Sequence, residues 1–126
     1  MNSGRAVSET FSRDDRLRKR REFEECYASG VRASGRHVQL FLLVADSGGR
    51  PRLGIAVPRR VGRAVVRNRL RRRLREIFRR TRSLFGGAPV RLVVNARPSA
   101  ASVSFPELLE DYRSAVTRAL ARPARR

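Results

Sequence analysis

Arginine is the residue of this chain with the most chemistry to offer. Between Arg59 and Arg82 there are twelve arginines against one acid, Glu76. On a 3.6-residue period Val66, Leu70, Leu74, Ile77 and Phe78 fall within about a third of a helix circumference, so one stripe can dock on a core. The remaining surface is guanidinium, which is costly to desolvate without carboxylate partners. Planar, bidentate donors in that number suit phosphate oxygens, and the segment wants a polyanion.

Other chemistry is poorly provided for. Of the eleven acids most lie in the N-terminal region and the last predicted helix, with Asp46 in a turn and Glu76 isolated among arginines. No carboxylate set has metal-ligand spacing, and neither Cys26 nor the lone His37 has a triad partner in view. The expectation is therefore no catalytic residue and no protein metal site. One cysteine also excludes an internal disulfide and fits a reducing compartment.

The whole chain supports the same reading. Its 126 residues suit one domain, and 40% apolar content leaves a foldable core beneath a net charge of +19 and a pI near 12.0. Such a domain attracts phosphate backbones at long range and by counterion release on contact. All basic residues except Lys19 are arginine, which either reflects planar contacts to RNA or a genome biased toward arginine codons. No apolar run approaches the ~20 residues that span a bilayer, and the N-terminus has no secretory apolar region, so a soluble cytoplasmic protein is expected, with no membrane partner.

The elements that must position the arginines follow from periodicity. Residues 1–15 are polar and mixed, Phe11 aside, and are expected to be a disordered tail. A short helix from Lys19 to Ala28 sets Phe23 and Tyr27 side by side, and Gly30 is expected to end it in a left-handed conformation. The aromatic pair is either core or, given the polar tip of tyrosine, a partly wet edge. Val31 begins a short strand or turn, and Val38–Ala45 is a strong strand with Val38, Leu40, Leu42 and Val44 on one face and Gln39, Phe41 and Leu43 on the other. A turn around Gly48 and Gly49 leads to a strand over Arg52–Val57, expected to form an antiparallel hairpin with its predecessor. The arginine helix follows over Arg63–Arg80, then a strand over Val90–Ala96. A last helix begins at a capping box, Ser104 with Glu107, and runs to Ala121 with Leu108, Leu109, Tyr112, Ala115, Val116 and Leu120 as its core stripe. Arg122–Arg126 is a basic tail.

The order α-β-β-β-α-β-α defines an α+β sandwich with one sheet face covered by helices. The uncovered face would carry Gln39, Phe41, Gly54, Ala56, Arg91 and Asn95. It is either a platform on which an extended single strand stacks its bases or an ordinary half-exposed sheet face. Within the helix Arg67 falls about 100° from Val66, inside the apolar arc, so it meets a specific partner or sits at the helix rim.

The run Val61-x-x-Ala64-x-x-Arg67-Asn68-Arg69-Leu70-Arg71-Arg72-x-Leu74-Arg75 resembles, position for position, the signature of the protein subunit of bacterial ribonuclease P. The resemblance extends to Arg16-Leu17, Phe23, Tyr27, Gly30, the Arg52–Val57 strand, Leu92-Val93-Val94 and Arg97-Pro98, over residues 11 to 121. It implies a single domain over 16–121, similar to a ribosomal-protein domain, with a mostly antiparallel sheet and a left-handed βαβ crossover that the general handedness rule would not predict. It implies as partners ribonuclease P RNA, which performs the chemistry with bound Mg²⁺, and precursor tRNA, whose 5′ leader is removed. By resemblance Phe23, Tyr27 and Phe41 line a leader cleft with Arg60 at its side and Arg67 and Asn68 nearest to it. Arg69, Arg71, Arg72 and Arg75 would face the catalytic RNA, with Arg59 and Arg63 among the further RNA contacts. Tyrosine at 27 and phenylalanine at 41 exchange a hydroxyl relative to commoner choices in that family.

Three other classes compete on the residues alone. A ribosome-associated or general RNA binder needs only a basic helix on a small domain. A DNA reader would lay the helix in a major groove, although arginine around the whole exposed surface reads phosphates better than bases, and no DNA partner is expected. A membrane-surface helix would need the apolar stripe that the core already claims.

Overall fold

The computed structural model describes residues 13–45 and 49–122. It contains α1 (Arg20–Ser29), β1 (Val31–Ser34), β2 (Val38–Val44), β3 (Arg52–Ala56), α2 (Ala64–Arg80), β4 (Val90–Ala96) and α3 (Phe105–Ala121), with 3-10 turns at Arg13–Asp15, Arg59–Val61, Arg82–Phe85 and Pro98–Ala101. The expected element order holds. Phe11, the Asp46–Gly48 part of the turn and the tail beyond Arg122 lie outside the described residues. Among those described, no helix is long and apolar enough to cross a membrane.

β4 organises the sheet, whose strand order is β1-β2-β4-β3. Val90, Leu92 and Val94 enter the main core and Val93 a second one, so β4 is apolar on both faces and is best satisfied at the centre. It pairs antiparallel with β2 and parallel with β3, and α2 is the crossover between the parallel strands. The expected β2–β3 hairpin is therefore wrong: β4 lies between them. β3, short and carrying Arg52 and Gly54, takes the edge, where the Arg16–Leu17 segment covers it by pairing with Leu53.

One sheet face follows the alternation. Val38, Leu40, Leu42, Leu53, Leu92 and Val94 pack against Leu70, Leu74, Ile77 and Phe78 of α2 and Leu108, Tyr112, Ala115 and Val116 of α3. Val44 and Leu120, expected in this layer, are exposed at a strand end and on the last helical turn. The fully buried Tyr112 hydroxyl lies toward Thr81, whose own hydroxyl is committed to Ile77 O, and has no partner at hydrogen-bond distance among the described residues. Burial pushes its pKa up, so it stays a neutral, unpaired dipole. Tyr112→Phe is expected to leave stability unchanged or raise it by up to about 1 kcal/mol, read as the urea midpoint.

The second face departs from expectation, because α1 covers it. Leu17, Cys26, Phe41 and Val93 form a second buried cluster with Phe23 and Leu43 packed against it. The alternation that exposes Gln39 also exposes Phe41, Leu43 and Val93, too much apolar surface for water, and α1 supplies the cover. Gly30 ends α1 in extended conformation (φ −75°), not left-handed. It is needed for close approach, since a Cβ there would stand 2.5 Å from Cys26 O.

The folded chain also begins before residue 16. Asp15 is fully buried, and Arg50 (2.5 Å) and Arg82 (3.0 Å) pair with its two carboxylate oxygens. The capping box at α3 is half formed: Ser104 Oγ accepts from Glu107 N at 3.2 Å, but the Glu107 carboxylate turns to His37 Nε2 at 2.9 Å. His37 Nδ1 meets Ser99 Oγ at 2.8 Å, so the lone histidine does have partners. Asp111 accepts from the backbone amides of Arg36, His37 and Val38. Together these contacts fasten the β1–β2 turn to α3.

Candidate nucleic-acid interface

The site forms where the carboxyl ends of the parallel pair β3 and β4 meet the start of β2. In this register Gln39 lies opposite Asn95, and Asn95 beside Ala56, so two carboxamides and one methyl form a row across the sheet. α1 stops short of that row. What remains is a groove of about 530 Å³ lined by Gln39, Ala56, Asn95, Arg60, Arg71 and Arg97, with the end of β3 as its edge. Guanidinium and carboxamide groups on a small apolar floor take phosphate oxygens and base edges.

Tyr27 stands beside this groove through Asn95 and is not among its lining residues. Its ring meets Phe41 edge-on, with centroids 4.8 Å apart and planes at 89°, and its hydroxyl donates to Asn95 Oδ1 at 3.0 Å. Burial raises the Tyr27 phenol pKa against the opposing pull of that hydrogen bond, so the hydroxyl remains a donor at neutral pH. Asn95 Oδ1 is thereby occupied, which turns its amide nitrogen to other partners. Among Phe23, Tyr27 and Phe41, Tyr27 presents the most surface, at 38% exposure, while Phe41 at 9% is a buried support. Phe23 fills the space above Gly54, where an added Cβ would stand 2.6 Å from its Cζ. The shallow floor expected at Gly54 is thus occupied by this ring. Gly54→Ala is expected to push Phe23 aside and cost about 1–3 kcal/mol, read by urea unfolding.

The helix positions divide differently from expectation. Arg67 Nε donates to Gly62 O at 3.0 Å, so this misplaced charge does have a specific partner, and that partner is the turn leading into its own helix. Asn68 Oδ1 accepts from Arg71 Nη1 at 2.9 Å. Neither Arg67 nor Asn68 lines the groove; Arg71, expected to face elsewhere, does, with Asn68 steadying it. Arg59, Arg60, Arg63, Arg69 and Arg72 are exposed, and Arg75 is half-buried. Strand alternation had marked Gln39 and Asn95, whereas Arg97 carries no periodic signal and is placed only by the end of β4.

Two ionisable groups qualify the charge pattern. Cys26 is buried and its thiol pKa is pushed up to about 11 by desolvation, which makes it inert. Glu76, held by hydrogen bonds from Arg79 and Arg80, has its carboxyl lowered from 4.5 to about 2. A pKa depressed on folding gives stability that is present above about pH 4.5 and is lost as pH falls toward about 2. The pair is partly solvated and its contribution small. Glu76→Gln is expected to flatten that part of the acid limb of a stability–pH curve.

A small α+β domain with a single-strand-sized groove beside an arginine helix defines an RNA-binding subunit. Comparison with known proteins agrees. The ribonuclease P family model matches residues 11–120. The chain is 41% identical over 98 residues to the ribonuclease P protein component of Acidothermus cellulolyticus, covering 77% of this chain and 81% of that relative. It is 39% identical over 112 residues to that of Pseudarthrobacter chlorophenolicus, covering 89% and 82%. The solved ribonuclease P protein of Thermotoga maritima superposes with a TM-score of 0.73 at 30% identity, covering 82% of this chain and 96% of that one. The chain belongs to the ribonuclease P protein family. Its function is that of the protein subunit of the ribonucleoprotein that processes tRNA 5′ leaders.

Proposed function

We infer that this subunit holds the 5′ leader of precursor tRNA in the groove at the carboxyl ends of β3 and β4, beside the middle of α2, and seats ribonuclease P RNA on the exposed arginines of α2. The observation that carries the reading is the row Gln39–Asn95–Ala56, with Tyr27 hydrogen-bonded to Asn95 and with Arg60 and Arg71 lining the same groove. A leader base stacks on Tyr27, its edge meets the carboxamides, and its phosphates meet the guanidiniums. Phe41 acts beneath by holding the Tyr27 ring edge-on, and Phe23 by packing α1 onto the sheet at Gly54. Arg67 and Asn68 act by fixing the helix entry and Arg71. Arg59, Arg63, Arg69, Arg72 and Arg75 supply phosphate contacts to the RNA.

The Mg²⁺ of the reaction belongs in this reading to the RNA and the substrate. The groove offers hydrogen-bond donors and cations, a set suited to anions, and no group of three or more acid, histidine or cysteine side chains among the described residues could hold a metal ion. The chain's own part is binding and orientation, carried out in the cytoplasm with both RNAs. The test is cleavage at low Mg²⁺ by ribonuclease P RNA with and without the protein, on long-leader and leaderless substrates. Restored cleavage with preference for the long leader is expected. Equal binding of both substrates would sink the leader assignment.

A further inference from the structure

A second basic groove lies at the other end of β3. It encloses about 300 Å³ and is lined by Arg13, Arg16, Arg18, Lys19, Glu22 and Arg52. Among the described residues Glu22 is the one acid that lines it, and that carboxylate is already bonded to Arg52 (2.8 and 3.1 Å) and to the amides of Arg18 and Lys19. Arg13, Arg16, Arg18 and Lys19 are exposed.

The segment that carries these cations is anchored. Leu17 N donates to Leu53 O at 2.9 Å, Arg16 forms a parallel bridge with Leu53, and Asp15 is buried between Arg50 and Arg82. Its backbone is therefore ordered before any ligand arrives, which lowers the cost of binding. Arg16 also stands near the arginine helix. Burial lowers the Arg75 pKa, and the positive charges of Arg16 and Arg71 lower it further. Arg71 lines the first groove, Arg75 stands one helical turn beyond it on α2, and Arg16 is held at the β3 edge by its bridge with Leu53. The five residues of β3 span about 13 Å, the reach of a few nucleotides. Like charges crowded in this way repel in the free protein and are relieved by phosphates placed among them.

We propose that the second groove binds phosphates of the 5′ leader beyond the part held in the first, so that a long leader runs along the β3 edge past Arg71, Arg75 and Arg16 to Arg18 and Lys19. This rests on the leader reading above. A single strand is favoured over folded RNA because the groove encloses only about 300 Å³ and lies at the opposite end of the same short strand from the first groove.

The test is the triple variant Arg13→Gln, Arg18→Gln, Lys19→Gln, reconstituted with ribonuclease P RNA, with affinity measured for precursor tRNAs of increasing leader length across a salt series. The three side chains are exposed and Arg52–Glu22 is kept, so the urea midpoint of the variant is expected to match the parent; the double variant Arg18→Gln, Lys19→Gln serves if it does not. For short leaders the variant should bind like the parent. For long leaders it should bind on the order of 10-fold more weakly, with the log–log salt slope reduced by about 2, as expected for three single-strand phosphate contacts. A loss equal at all leader lengths, or a loss of affinity for ribonuclease P RNA alone, would assign the groove to the catalytic RNA and overturn the proposal, as would no loss at all. A parent that ignores leader length would instead remove the leader reading of the first groove, a separate and distinguishable failure.

Discussion

Replacing Arg69, Arg71, Arg72 and Arg75 together by glutamine is expected to weaken binding to ribonuclease P RNA by on the order of 100-fold at physiological salt, and to reduce the log–log salt slope by about 3 to 4. The effect is large because each lost guanidinium returns a counterion to the RNA. It should not come with unfolding. Arg69 and Arg72 are exposed, Arg69 donates to Ala101 O and Arg71 to Asn68 Oδ1 at the surface, and Arg75 is half-buried. Removing four of nineteen net positive charges relieves repulsion in the free protein. Binding isotherms at several salt concentrations, beside urea unfolding of the same variant, check both halves. An unchanged salt slope would mean that this helix does not meet the RNA backbone.

The largest effect on stability is expected at Asp15. Its carboxylate is fully buried, with Arg50 Nε and Nη2 on Oδ1 (2.9 and 2.5 Å) and Arg82 Nη2 on Oδ2 (3.0 Å). Asp15→Ala leaves two arginines facing a site from which their partner has gone, and breaking a buried pair in this way costs on the order of 3–5 kcal/mol. Asp15→Asn keeps the shape and one acceptor and should lose less. A midpoint of urea unfolding unchanged in Asp15→Ala would remove the anchoring role. The two variants should also differ in function, because the 3-10 turn at Arg13–Asp15 carries Arg16 and Leu17 to the edge of β3. Loosening it is expected to weaken RNA binding as well as folding.

The burial of Asp15 shows why a tail is hard to delimit from composition. Residues 1–15 read as polar and low in apolar content, and nothing local distinguishes Asp15 from Asp14. Its burial depends on Arg50 and Arg82, residues 35 and 67 positions away. His37 has the same history. No spacing along the chain joins it to Ser99 and Glu107, and only the packing of α3 against β2 brings them within 2.9 Å.

The amino-acid sequence by itself determined the element order, the polyanion-binding character and the two faces of each strand. These depend on period, on charge density and on the residue types within one or two turns. The apolar stripe of α2 is one example, with Leu70, Leu74, Ile77 and Phe78 all buried as their spacing requires. The tertiary structure decided how the strands are ordered and which side chains share a site. β4 entered between β2 and β3 because it is apolar on both faces, and α1 moved onto the second face because Phe41 and Val93 needed cover. That placement reduced an open platform to a groove, joined Tyr27 to Asn95 across 68 residues of sequence, and brought Arg71 rather than Arg67 to its wall. Strand pairing and helix docking satisfy surfaces distant along the chain, so no local period can record them.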